Sequence, residues 1–183
     1  MEWMKLYVEK IDSSLSFIEK FPKGRLCVCK VRDEGGFLRV LKIAPTNERS
    51  KFYRECVQKE KQALNVADGI YGVPRLIRDY SRKFFCHGGA LLKEYFEGEE
   101  FSEKFKNNAR IRREIEHIVH DLHLIKIANL DLKPRNIIVS SDGLSAKFID
   151  LDCCDIHNEK SDSNYSFDKG KEFDKYNLDK LFS

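Results

Sequence analysis

At 183 residues with 42% apolar side chains, the chain is long enough to bury one core and is expected to form a single domain. Its 33 basic and 30 acidic residues leave a formal charge of +3, too even to argue for nucleic acid on electrostatics, and no apolar run is long enough to span a bilayer. The six cysteines lack a zinc-ribbon spacing and read as reduced thiols, and the opening MEWMKLYVEK has no signal-peptide core, so a cytoplasmic location is expected.

The first element in chain order is a hairpin, FIEKFPKGRLCVCKV, whose turn holds Gly24 between Lys23 and Arg25. The next stretch, FLRVLKIA at 37–44, alternates so that Leu38, Val40 and Lys42 share one face of a strand. Lys42 points with an aliphatic row, where a lysine either snorkels to water or finds an anion. A helix is expected over about 47–67, with Phe52, Cys56, Val57, Ala63, Leu64 and Ala67 in one arc, Glu60 in its middle and Glu55 outside it. A carboxylate on a buried stripe is costly unless paired, and Lys42 just upstream is the evident partner for Glu60.

Segment 90–101, ALLKEYFEGEEF, is an apolar strand running into an acidic, glycine-containing stretch. Beyond it Ile111, Ile115, Ile118, Val119 and Leu122 recur at the spacing of a long amphipathic helix. His117, His120 and His123 lie along this helix without a matching ligand set and read as structural or surface residues, and Arg110, Arg112 and Arg113 read as a solvated face. Then comes NLDLKPRNIIVSSDGLSAKFIDLD at 129–152, with Asp131, Lys133 and Asn136 in D-L-K-P-R-N. Two short strands, 136–139 and 146–149, flank a polar turn and end on Asp150, so that a hairpin gathers two acids and an amide at one end. Such a cluster needs a counter-charge, and Mg²⁺ bound to nucleotide phosphates takes oxygen ligands of this kind. In the tail, 161–166 reads as a loop, and Phe173, Tyr176 and Leu181 in KEFDKYNLDKLF are spaced as a closing helix that gives its apolar residues to the core.

D-L-K-P-R-N followed by I-D-L-D resembles the catalytic loop H-R-D-x-K-x-x-N and the metal loop D-F-G of the protein-kinase-like superfamily. The resemblance implies an α+β, bilobal kinase-like fold with a β-rich small lobe over 1–96 and a truncated, mainly helical large lobe over 97–183. It implies ATP and Mg²⁺, with Asp131 orienting and deprotonating an acceptor hydroxyl, Lys133 neutralising the transferring phosphoryl, and Asn136 and Asp150 holding the metal. Lys42, paired with Glu60, stands for the lysine of V-A-I-K that binds the α- and β-phosphates. By the same alignment the Glu94 carbonyl and Phe96 amide face the adenine, Lys93 takes the gatekeeper position, and Val40 and Ile138 enclose the ring with Leu26 and Ile18 as further candidates. Gly24 stands for the last part of the phosphate-covering G-x-G-x-x-G loop.

The departures from that pattern are informative. Leu130 replaces the arginine that receives a phosphorylated activation loop, and Leu151 and Asp152 replace Phe and Gly of the metal loop. Asp152 either supports the metal or is solvated. The thirty-one residues after Asp152 contain no A-P-E signature or peptide-binding subdomain, so the acceptor site is expected to be built differently. In these respects the chain is closest to reduced, atypical members: the RIO kinases, the small kinase associated with tRNA threonylcarbamoylation, and lipopolysaccharide-core sugar kinases. The implied activity is phosphoryl transfer to a hydroxyl of protein Ser/Thr or of a lipopolysaccharide-type sugar, in the cytoplasm or at the inner membrane face. The alternatives are a nucleotide-binding pseudokinase or switch, or an ATPase subunit, acting through a partner protein.

Overall fold

In the computed structural model, which describes residues 2–22, 26–44, 50–80, 89–157 and 164–183, the row Met4, Val8 and Ile11 forms the buried side of helix α1, Glu2–Ile11. The sequence reading had no helix here, although the i, i+4, i+7 spacing of these three residues is a helical signal. The chain divides into two compact units, Met1–Lys61 with Arg75–Tyr95, and Gln62–Pro74 with Phe96–Ser183. This is a finer division than the 1–96 and 97–183 read from the sequence. Residues 62–74 belong to the second unit, where the Phe148 amide donates to the Gly72 carbonyl at 2.8 Å.

The first unit is built on a five-stranded antiparallel sheet. Its strands are β1 Ser16–Lys20, β2 Cys27–Arg32, β3 Leu38–Ile43, β4 Leu76–Asp79 and β5 Ala90–Glu94, in the order β1-β2-β3-β5-β4. Period-two alternation gives the sheet two buried faces. One carries Cys29, Val31, Leu41, Ile43 and Leu92 against Met4, Val8, Ile11 and Leu15. On the other, the β3–β5 register sets Val40 opposite Lys93 and Lys42 opposite Leu91, so both lysines share a face. Helix α2, Ser50–Val66, was expected from 47, but 47–49, like Lys23, Gly24 and Arg25, lie outside the described residues.

The arc of α2 needs one correction. Phe52 is 61% exposed and Tyr53 is buried in its place, together with Val57, Glu60, Ala63 and Leu64. On a helix of about 3.6 residues per turn, Tyr53 stands about 20° from Glu60 and Phe52 about 80° away.

Asp12, just past α1, ties that helix to β4. Its carboxylate is buried, pairs with Arg78, and accepts hydrogen bonds from Tyr80 Oη at 2.5 Å and from Ser14 N and Oγ at 2.9 and 2.7 Å. Burial alone would raise its pKa, but these donors together hold it well below the usual carboxylate range. A depressed folded pKa contributes stability above the unfolded value of about 4 and loses it as pH falls. Asp12→Asn is therefore expected to cost about 1–3 kcal/mol at neutral pH and to flatten the acid limb of stability, as read by urea melts at pH 7 and pH 3.

The second unit places α3, Ala109–Leu124, under a three-stranded sheet of β6 Glu99–Glu100, β8 Ile137–Val139 and β9 Ala146–Phe148, ordered β6-β8-β9. A two-stranded ladder pairs β7, Ile127–Ala128, with β10, Asp155–Ile156. Asn108 caps α3 by accepting from Arg110 N and Ile111 N at 3.0 and 3.1 Å, and Ile111, Ile115, Ile118, Val119 and Leu122 are all buried, as their spacing predicts. Gly98 precedes β6 with φ +153°, and a Cβ there would overlap the Val139 carbonyl oxygen. Gly98→Ala is expected to destabilise by about 3 kcal/mol in chemical denaturation, since backbone strain and steric overlap act together.

The closing helix, α4, runs Asn164–Leu181. The expectation that Phe173, Tyr176 and Leu181 all enter the core is corrected: Phe173 is 51% and Tyr176 62% exposed, and only Leu181 is buried. Leu181 lies about 80° and 140° around the helix from the two aromatics. The buried stripe is instead Phe167, Gly170, Asp174, Leu178 and Leu181. Gly170 permits the close approach, because a Cβ there would stand 3.0 Å from Ala128 Cβ and 3.2 Å from Asn129 N. Among the described residues no helix is long and apolar enough to cross a membrane.

Candidate functional site

The first unit holds a buried cluster of charge. Glu60 is fully buried and Lys42 and Lys93 are 3% and 5% exposed. Lys42 Nζ meets Glu60 Oε2 at 2.7 Å, as the sequence pattern predicts, while Lys93 pairs with Glu60 Oε1. The second lysine was assigned no ionic role in the sequence reading. One carboxylate thus bridges two ammonium groups. Leu26, Val40 and Glu94 are half-buried in the same unit, and Ile18 is 39% exposed. Glu94 closes the end of β5, where its amide donates to the Arg75 carbonyl and its carboxylate accepts from the Arg75 amide, both at 3.1 Å. Gly24 lies outside the described residues.

The second unit gathers the other polar positions around residues 129–136. Lys133 is extended, and Pro134 opens a 3-10 turn, Pro134–Asn136, so Asn136 sits in that turn and β8 begins at Ile137, one residue later than expected. The Asp131 carboxylate pairs with Lys133 and accepts from Asn136 Nδ2 at 3.2 Å; the same amide group donates to the Asp131 carbonyl at 2.9 Å. Asn136 therefore uses its nitrogen within the loop, and its Oδ1 is the atom left for a cation. The Ile149 amide donates to the Asn136 carbonyl at 2.9 Å and so brings the segment carrying Asp150 beside it. Asp150 Oδ1 accepts from Asp152 N at 3.2 Å, which turns the chain after β9.

These are hard oxygen donors, an amide and a carboxylate, and they fit Mg²⁺, which takes few protein ligands and completes its shell with water and phosphate. Among the described residues no group of three or more His, Cys, Asp or Glu side chains could hold a metal, so a multi-ligand protein cage such as a structural zinc site is not formed there. Burial lowers the Lys133 pKa and Arg135 adds repulsion, against the attraction of Asp150 and Asp152. Phe96 and Ile138 are half-buried, and the Lys147 ammonium stands 5.6 Å from the Phe96 ring centroid.

What holds the loop in shape was not found from the sequence. Lys126 and Asn129 take left-handed φ of 64° and 56°, and Asn129 Nδ2 donates to Asp155 Oδ2 at 2.8 Å. The Leu132 amide donates to the Leu130 carbonyl at 2.7 Å, a tight turn that presents Asp131. The Leu130 amide donates to Asp174 Oδ1 at 2.6 Å, and the other oxygen of this fully buried carboxylate lies 2.8 Å from His123 Nε2. Burial raises the Asp174 pKa, opposed by His123 and by the Leu130 and Asn129 amides. The available signal was an acid on the apolar stripe of a helix, the same signal that exposes Glu60.

No protein-family model matches the chain. The chain is similar to calcium-dependent protein kinase 27 of Arabidopsis thaliana, 30% identical over 115 residues that make up 54% of this chain and 23% of the relative. It is also similar to calcium-dependent protein kinase 31 of Arabidopsis thaliana, 27% identical over 138 residues, 68% of this chain and 28% of the relative. The chain spans less than a third of the length of these relatives. The similarity, together with the α+β architecture, supports a protein-kinase-like relationship.

Proposed function

We propose that the chain is a Mg²⁺-ATP-dependent phosphotransferase that moves the γ-phosphoryl group to a hydroxyl acceptor. The observation that carries this reading is the convergence of Asp131, Lys133 and Asn136 at one loop, with the Asp150 segment hydrogen-bonded to it. In this reading Asn136 and Asp150 hold Mg²⁺, which supplies charge neutralisation on the phosphates. Asp131 orients the acceptor hydroxyl and takes its proton, and Lys133 offsets charge on the transferring group. By the family resemblance, Lys42, paired with Glu60, is the phosphate-binding lysine, and Glu94, Phe96, Val40, Leu26 and Ile138 are the positions assigned to the base.

The replacement of the usual arginine by Leu130 aligns the chain with reduced, atypical kinases, regulated by a route other than activation-loop phosphorylation. The acceptor hydroxyl belongs to a protein Ser/Thr or a sugar. The five cysteines among the described residues are free thiols, in keeping with a cytoplasmic setting. Incubation with γ-labelled ATP and a cell extract fractionated into protein, lipopolysaccharide and small molecules tests the proposal. Label is expected in one fraction with the wild type and not with Asp131→Ala; absence of label from every fraction would overturn it.

A further inference from the structure

Beside the Asp131 loop the second unit forms an open cavity of about 420 Å³, lined by Asp131 and Lys133 of the loop and by Phe173, Asn177 and Lys180 of α4. Its volume lies within the range of about 300–1,000 Å³ seen for small-molecule pockets. None of its lining residues lies on a β-strand, so it offers no sheet edge to pair with the main chain of an extended peptide.

The chemistry of the lining is mixed in a specific way. Phe173, an aromatic residue that is half exposed, lines the cavity together with Asn177, whose amide can donate to and accept from hydroxyls. Three lysines, Lys106, Lys133 and Lys180, line the cavity against two acids, Glu103 and Asp131. Lys106 is held by Glu103 at 3.0 Å and by the Ser183 carbonyl at 2.7 Å, and Lys133 is held by Asp131. The Lys180 ammonium has no hydrogen bond or ion pair among the described residues, which leaves it the cation for an incoming anion.

We propose that this cavity is the acceptor subsite and that it takes a small anionic polyol about the size of a hexose phosphate. This rests on the phosphotransferase reading. The ring lies on Phe173, the anionic group meets Lys180, and a hydroxyl is presented to Asp131. Transfer forms a bond from the acceptor oxygen to the γ-phosphorus of ATP and breaks the bond from that phosphorus to the oxygen retained by ADP. The hydroxyl proton passes to Asp131.

The test is ligand-observed NMR titration of the full chain, without nucleotide, using glucose 6-phosphate, ribose 5-phosphate, glycerol 3-phosphate, glucose and inorganic phosphate. At least one phosphorylated polyol is expected to bind saturably and more tightly than glucose or phosphate alone. Lys180→Ala should weaken that binding about tenfold, the loss of one charge-assisted contact, and Phe173→Ala should weaken both the phosphorylated and the plain sugar. Both side chains are exposed, so the variants are expected to fold, which circular dichroism checks. Failure of all three phosphorylated polyols to bind, or binding indifferent to both substitutions, overturns the subsite. So does label from ATP that enters only protein. If Mg²⁺-ATP still raises the melting temperature in that case, only the acceptor inference falls; if it does not, the phosphotransferase reading falls as well.

Discussion

Asp131→Ala is expected to lower phosphoryl transfer by about 10²–10⁴-fold while nucleotide affinity changes little. The carboxylate is the acceptor for both Lys133 and the Asn136 amide, so its removal deletes the proton-accepting oxygen and frees Lys133. The loop itself does not depend on that side chain. Its backbone is fixed by Asp174 at Leu130 N, by Asp155 at Asn129, and by the packing of Gly170 against Ala128 and Asn129. A loss of kcat with little change in ATP affinity therefore reports chemistry rather than collapse. Single-turnover transfer and equilibrium ATP binding on the same preparation separate the two, and a variant that keeps full transfer removes Asp131 from its role.

The largest effect on stability is expected from Glu60→Gln. Two ammonium groups with almost no exposure share that one carboxylate, and the amide removes the charge that both pair with. Breaking a buried pair by removing one partner costs about 3–5 kcal/mol. Lys42→Met differs in kind, because Glu60 then keeps Lys93 as a partner. It should abolish nucleotide positioning with a much smaller loss of stability. Urea melts of the two variants, compared at equal m, give the order directly. If Lys42→Met is the more destabilising, Lys93 is not an effective partner for Glu60.

The Lys42–Glu60 pair was legible because each half breaks a simple period: a lysine in the alternating row of β3, and a carboxylate on the apolar stripe of α2. Lys93 was not, because its approach to Glu60 depends on a β3–β5 register that joins residues 53 apart, Val40 opposite Lys93. The loop 129–136 declared its residues by spacing, yet its anchors come from far along the chain. Asp174 is reached only because α4 packs through Gly170, and His123 only because α3 ends beside it. The errors at Phe52 and Phe173 share one cause. Helical spacing placed each aromatic on a wide apolar arc, but each stands about 80° from a buried position, Glu60 or Leu181, at the edge of a narrower buried stripe.

The most direct measurement is thermal unfolding with and without saturating ATP and Mg²⁺. A ligand confined to the native state adds RT ln(1 + [L]/Kd), about 2.7 kcal/mol at a hundredfold excess over Kd. The wild type is expected to melt higher with both present, and the gain should shrink in Asp150→Asn, which removes a charged oxygen ligand, more than in Asp152→Asn. A folded wild-type sample whose melting temperature does not move with Mg²⁺-ATP would contradict the nucleotide-binding account.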